Sequence, residues 1–458
     1  MKTKSIKFIA LLLSVVLLAS VFAPFAVAAP AQEGLFEPDV PIDAGAYMLI
    51  ALDDAHTLIA QKNKDKVKYP ASLTKIATTM VTLENVQNLQ EQVSVSQSAI
   101  DAIAGRDAQA AGLKAGQSVS YEQLLYLTMV YSACDACQVL AESVGKTEQH
   151  FAEMMNEWAA SVGCQNTHFT NPDGLHDDNH YTTAADMALM ALAAINNETF
   201  LKLCTPTQYT FGETTFKHTN FMLDSEQPLY YYAYAKGIKT GSTQQAGYCV
   251  ITMGEKDNMK YLAVVMDSPL KYIDGNECKG SFLDAKSLLE WGFAFKTATI
   301  ASSSQEVKTI AVTDAKDADS VALVPKEDVQ FSVPQNFNEA DVTIVPADEP
   351  DTLYAPVKQG DVVCKADIIY NGQKLATTEL VAASDVKLSV LSKIHRLNKA
   401  FITNHPIWFT LIILVVLAVV FLIVQAVRRK KAKKRLAEKR RRRAMQQRMR
   451  DRNDNESF

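Results

Sequence analysis

Tyr69-Pro70-Ala71-Ser72-Leu73-Thr74-Lys75 leads into a helical run from Ile76 to Leu89. Pro70 sets an extended entry, and Leu73, Ile76, Ala77 and Met80 then recur at helical spacing. Ser72 is therefore expected at a helix start, with Lys75 one turn further on the same face. A serine hydroxyl is a poor nucleophile until a neighbouring base takes its proton. A lysine amine is such a base only if burial or another cation lowers its pKa. The helix N-terminus adds free N–H donors where negative charge would develop. The pattern suits Ser-Lys acyl transfer, but Ser-x-x-Lys recurs at Ser143/Lys146, Ser268/Lys271 and Ser384/Lys387. What sets Ser72 apart is company further along: Ser132 in Tyr-Ser-Ala-Cys, and Lys239-Thr240-Gly241.

At 458 residues the chain has room for two domains and additional segments. Residues 1–29 carry Lys2, Lys4 and Lys7, an apolar run and Ala26-Val27-Ala28, which reads as a secretory signal peptide. Residues 407–424 are 18 uncharged residues, the short end of a membrane span, and a transmembrane helix is expected over 407–427. The tail 428–458 holds 15 Lys/Arg against 4 Asp/Glu, so by the positive-inside rule it is cytoplasmic and the rest lies outside. With the +11 tail and the +3 leader set aside, the overall −5 leaves −19 on residues 30–427. So acidic an exported body is a poor match for nucleic acid, and the tail's place beside a span favours anionic lipid headgroups. The seven cysteines are odd in number and scattered, which is no disulfide framework.

Residues 46–52 and 57–61 read as a hairpin leading into the Ser72 helix. Ser120-Tyr121-Glu122-Gln123 has the form of a capping box for a helix reaching about Val130. A second helix is expected over 135–144, which places Ser132 in the turn between them. Further helices are expected over 148–161, after Thr183, and over 282–293; strands are expected over 237–242, 248–253 and 260–266. Strands on both sides of a helical insertion imply an α+β domain over 45–297. Short Val-rich segments with an Asn371-Gly372 hairpin follow, an all-β domain over 300–387. Leu388, Leu391, Ile394, Leu397 and Phe401 then mark an amphipathic stalk over 388–405.

Residues 45–390 resemble the low-molecular-mass penicillin-binding proteins, the serine-type D-alanyl-D-alanine carboxypeptidases. The resemblance is carried by Tyr-Pro-Ala-Ser-Leu-Thr-Lys (69–75), Ser132, Asn-Pro-Asp-Gly-Leu (171–175), Asn-His-Tyr-Thr-Thr (179–183) and Gly-Ile-Lys-Thr-Gly-Ser-Thr (237–243). It implies a β-lactamase/transpeptidase-like catalytic domain followed by the small β domain and the anchor. It also implies roles. Ser72 attacks the bond between two terminal D-alanines, Lys75 accepts its proton, and Ser132 relays a proton to the leaving amine. Lys239 and Thr240 bind the substrate's terminal carboxylate, Gly241 leaves the strand edge open to an extended peptide, and the N–H groups of Ser72 and Ser242 form the oxyanion hole. The implied partners are peptidoglycan stem peptides, with β-lactams as inhibitors; no cofactor or metal is required. The implied location is a single-pass cell membrane protein with its catalytic domain extracellular.

One position departs from the family. Its second motif is Ser-x-Asn, and Cys134 stands where the asparagine is expected, a thiol being the weaker hydrogen-bond partner. That keeps open a β-lactam- or peptidoglycan-binding sensor with little turnover. A class A β-lactamase is the other alternative, although no Glu-x-x-Leu-Asn follows Ser132. His176 and His180 around Asp177 and Asp178 read as solvent-reaching loop residues rather than metal ligands. Cys134-Asp135-Ala136-Cys137 lacks the βαβ setting of a redox Cys-x-x-Cys.

Overall fold

A computed structural model describes residues 35–454, so the secretory segment expected over 1–29 lies outside the described residues. The chain forms two compact units. The first takes in residues 35–301, 329–344 and 367–377, and the second residues 302–328, 345–366 and 378–454.

The first unit is built on an antiparallel sheet of β1 (Ala46–Ala51), β2 (Leu58–Lys62), β3 (Ala235–Thr243), β4 (Gly247–Lys256) and β5 (Met259–Ser268), in the order β2-β1-β5-β4-β3. Period-two alternation decides which core each side chain joins. Met48 and Ile50 enter one hydrophobic cluster, and Tyr47 and Leu49 enter another. Both faces are therefore covered, unlike the half-solvated antiparallel sheets that show clean apolar–polar alternation.

The first cluster is filled from α1 (Lys75–Asn85), α2 (Tyr121–Tyr126), α3 (Cys134–Gly145), α4 (Glu148–Ser161) and α5 (Ala184–Ile195), all inserted between β2 and β3. The second is filled by Phe282, Leu288, Leu289 and Trp291 of α6 (Gly280–Phe293). Local chemistry sets the helix starts. The Ser120 side chain accepts from the Gln123 N–H and the Gln123 side chain answers at the Ser120 N–H, a complete capping box. Thr183 accepts from the Asp186 N–H at 3.1 Å. The helix expected to run to Val130 instead changes after Tyr126 to a π-helical turn, Leu127–Tyr131, and ends at Ser132. The helix expected to continue from Ile76 to Leu89 stops at Asn85.

In the second unit, strand Lys308–Thr313 pairs antiparallel with Ser320–Pro325 and parallel with Thr352–Tyr354. Val312, Val321, Ala355, Val357, Ala382 and Val386 form its core. Asn371 and Gly372, both at positive φ and within the 367–377 stretch of the first unit, make the two-residue turn expected between strands Val362–Tyr370 and Gln373–Ala382. Helix α7 (Val390–Asn404) follows, with Arg396 paired to Asp314 at 2.6 Å and Leu391, Ile394, Leu397 and Phe401 exposed. Helix α8 (Pro406–Asp454) is the one helix among the described residues long and apolar enough to cross a membrane.

Candidate active site

Ser72 lies in a 3-10 turn, Ala71–Thr74, that runs directly into α1 at Lys75. The Lys75 ammonium is fully buried and donates to Ser72 Oγ at 2.8 Å and to the Asp173 carbonyl at 2.6 Å. Cys134 Sγ stands 3.5 Å from the same nitrogen. Ser132, held in the left-handed region at φ 66°, lines the same cavity, about 440 Å³, together with Ser72, Cys134, Thr240, Gly241 and Ser242. Among the described residues the Ser132 hydroxyl makes no hydrogen bond to Ser72 or Lys75.

The other Ser-x-x-Lys pairs are built differently. Ser268 Oγ donates to Asp284 at 2.6 Å, and Lys271 is paired to that carboxylate as well. Lys146 reaches only the Ser143 carbonyl, and Ser384 and Lys387 are exposed. Ser72 alone of the four hydroxyls meets its lysine.

Two buried lysines share the site, and they are unequal. Burial is the largest influence on Lys75 and acts downward, but Cys134, Cys137 and Asp173 outweigh it and hold its pKa above the ordinary value. Burial raises both thiols, Cys137 to about 12, so near neutral pH both are uncharged, their upward pull on Lys75 is absent there, and burial is opposed by Asp173. Lys239 is pulled well below the usual lysine range, first by burial and then by Lys75. Lys239 Nζ is held at the Thr240 carbonyl at 3.0 Å and is fully buried rather than part of the cavity lining.

Gly241 has a second reason to be glycine besides leaving room for a peptide. A Cβ there would sit 2.9 Å from both the Pro70 carbonyl oxygen and the Ser72 nitrogen, so β3 and the nucleophile's turn touch backbone to backbone. His180 proves to be buried, not solvent-reaching. Its Nδ1 accepts from the Thr170 N–H at 3.1 Å and its Nε2–H donates to Thr74 Oγ1 at 2.8 Å. Burial drives its pKa down to about 3, which keeps the ring neutral as a brace for the Ser72 turn.

Several contributors carried no motif. Asp135 accepts from the N–H groups of Ala111, Gly112 and Leu113 at 2.9–3.0 Å, tying down the segment that brings Asp107 and Gln109 to the cavity. Thr219 accepts from Thr240 Oγ1 at 2.7 Å. An acid in the first turn of α3 is a visible sequence signal. The Asp173 carbonyl is not, being backbone.

Residues 32–269 match the family described as D-alanyl-D-alanine carboxypeptidase, just over half of the chain. The chain belongs to this family. Residues 295–388 match the penicillin-binding protein 5 C-terminal domain. Among curated relatives, the chain is 31% identical over 367 residues to the D-alanyl-D-alanine carboxypeptidase DacA of Haemophilus influenzae, covering 78% of this chain and 88% of that protein. It is 28% identical over 366 residues to the carboxypeptidase DacA of Escherichia coli, covering 76% and 85%. Among solved structures it is similar to penicillin binding protein 5 from Haemophilus influenzae, with a TM-score of 0.54 and 29% identity over 77% of this chain and all of that one. Membership accounts for both the α+β catalytic domain and the β domain after it.

Proposed function

We propose that the protein is a serine D-alanyl-D-alanine carboxypeptidase that trims peptidoglycan stem pentapeptides through an acyl-enzyme on Ser72. The observation that carries this reading is the 2.8 Å contact between Lys75 Nζ and Ser72 Oγ in a cavity that also exposes Thr240, Gly241 and Ser242. Once Lys75 has released its own proton, its amine takes the hydroxyl proton as Oγ attacks the carbonyl between the terminal D-alanines. The oxyanion faces the N–H groups of Ser72 and Ser242. Collapse breaks the C–N bond, the D-alanine amine leaves with a proton passed through Ser132, and water hydrolyses the ester. β-Lactams acylate the same serine.

A second reading, a penicillin-binding sensor with little turnover, is favoured by one observation: Cys134 facing Lys75. A thiol gives one weak hydrogen bond where an amide offers several, and losing one such bond costs roughly 1–3 kcal/mol. The expected result is slow but measurable D-alanine release from a pentapeptide by the full chain, improved severalfold by Cys134→Asn. Penicillin labelling of wild type without any D-alanine release would establish the sensor. A tenfold or greater loss in Cys134→Asn would mean that the thiol is adapted to this site.

For location, α8 supports a single pass, with the Arg428-Arg429-Lys430-Lys431 side cytoplasmic and both folded units outside. Protease added to intact cells is expected to digest residues 45–390 and spare the basic tail. Digestion of the tail with the folded units protected would reverse the orientation.

A further inference from the structure

Asp107 is the one carboxylate among the described residues that line the catalytic cavity, and it is exposed there. Among the described residues it has neither an ion pair nor a hydrogen bond. The two lysines of the lining are engaged elsewhere. Lys217 is paired with Asp224 and Glu226, and Lys279 lies 4.4 Å from the centre of the Phe221 ring.

What separates Asp107 from an ordinary solvated carboxylate is how firmly it is presented. The Ala108 N–H donates to the Arg106 carbonyl at 2.8 Å, a γ-turn with Asp107 at its tip. Two residues on, the Gln109 carbonyl accepts from the Cys134 N–H at 2.7 Å, and Gln109 Nε2 donates to the Tyr131 carbonyl at 2.6 Å. Beyond it, the buried Asp135 carboxylate holds the N–H groups of Ala111, Gly112 and Leu113. The turn is thus fastened to the residues on either side of Ser132 and to the start of α3, not to β3. A charge held in place this way meets a ligand without a further ordering cost. Its sign narrows the ligand. A carboxylate beside the substrate's own terminal carboxylate would oppose binding, so Asp107 serves the part of the peptide that stays on Ser72.

We propose that Asp107 receives a side-chain ammonium on the acyl part of the stem peptide, at the residue just before the two D-alanines. It is a specificity residue outside the recognised motifs, and the proposal rests on the carboxypeptidase reading of Ser72. The substrate class is a stem peptide with a diamino acid at that position. Lysine offers the ammonium alone, whereas diaminopimelate sets a carboxylate beside it, which Asp107 repels, so lysine is preferred.

The full chain in detergent is assayed as wild type, Asp107→Asn and Asp107→Glu on three pentapeptides with acetylated N-termini, so that the side chain carries the only amine. They hold lysine, Nε-acetyl-lysine or diaminopimelate before the two D-alanines. Wild type is expected to favour lysine over acetyl-lysine by about three- to tenfold in kcat/KM, mainly through KM, with diaminopimelate between them. Asp107→Asn should lose that preference by slowing on the peptides with a free amine, and Asp107→Glu should keep it. Equal kcat/KM for lysine and acetyl-lysine in wild type overturns the proposal. So does a preference that survives in Asp107→Asn, or an equal loss by that variant on both peptides, which marks a structural role. If wild type releases D-alanine from none of the three, the carboxypeptidase reading has failed, and penicillin decides this proposal separately. A penicillin whose side chain ends in a primary amine is then compared with its N-acetyl form. The amine should acylate wild type faster than the acetyl form and Asp107→Asn no faster, and equal rates in wild type overturn the proposal.

Discussion

Lys75→Met is expected to slow penicillin acylation of Ser72 by roughly 10²–10⁴-fold, the range associated with losing a positioned general base. Methionine fills the buried volume, so the fold should survive. The variant leaves the Asp173 carbonyl without its 2.6 Å partner, a cost of about 1–3 kcal/mol that removal of a buried charge partly offsets. Lys75→Arg separates base from charge, because a guanidinium keeps the cation but does not give up its proton in proteins. It should be as slow as the methionine variant. A time course of fluorescent penicillin labelling measures both. Wild-type rates in Lys75→Arg would show that positive charge alone activates Ser72.

Gly174→Ala is expected to damage the site from a position that performs no chemistry. Gly174 has φ +79°, and a Cβ there would fall 1.9 Å from the Ala71 carbonyl oxygen and 2.9 Å from Thr74 Oγ1. Both neighbours belong to the turn that carries Ser72, and neither is the free end of a flexible side chain. Relief requires the 171–175 loop to move by more than 1 Å, carrying with it the Asp173 carbonyl that holds Lys75. A left-handed alanine costs about 1–2 kcal/mol before the collision is counted, so a total loss of roughly 3 kcal/mol or more is expected. A displacement of that size at a catalytic centre corresponds to about 10²-fold in rate. Gly212→Ala is the control: φ is +60° but nothing lies within 4 Å, so only the conformational cost applies. Thermal melts and labelling rates of the two variants make the comparison, and equal behaviour would contradict the close-contact account.

What was legible in the sequence followed local chemistry. The Ser120 capping box, the Thr183 cap, the Asn371-Gly372 turn and the strand periods around 237–266 act over a few residues and were realised as read. The shortened α1 and the π-helical turn before Ser132 were not legible, since tertiary packing and not propensity ends those elements. Burial was the other blind spot. His180 looked like a loop residue because Asp177, Asp178 and Asn179 surround it in sequence, yet its partners are Thr74 and Thr170. Lys239 reads in sequence as a residue open to substrate, and only the folded chain shows that it is fully buried behind the cavity lining. The decisive hold on Lys75 comes from a main-chain carbonyl at residue 173, an atom every residue possesses.

The central claim is that, of four Ser-x-x-Lys pairs, Ser72 is the nucleophile. It is tested most directly by digesting the penicillin-treated full chain and mapping the adduct by mass spectrometry. The account predicts a single penicilloyl group on the peptide containing Ser72 and none in Ser72→Ala. An adduct on Ser143, Ser268 or Ser384, or one that persists in Ser72→Ala, would contradict it.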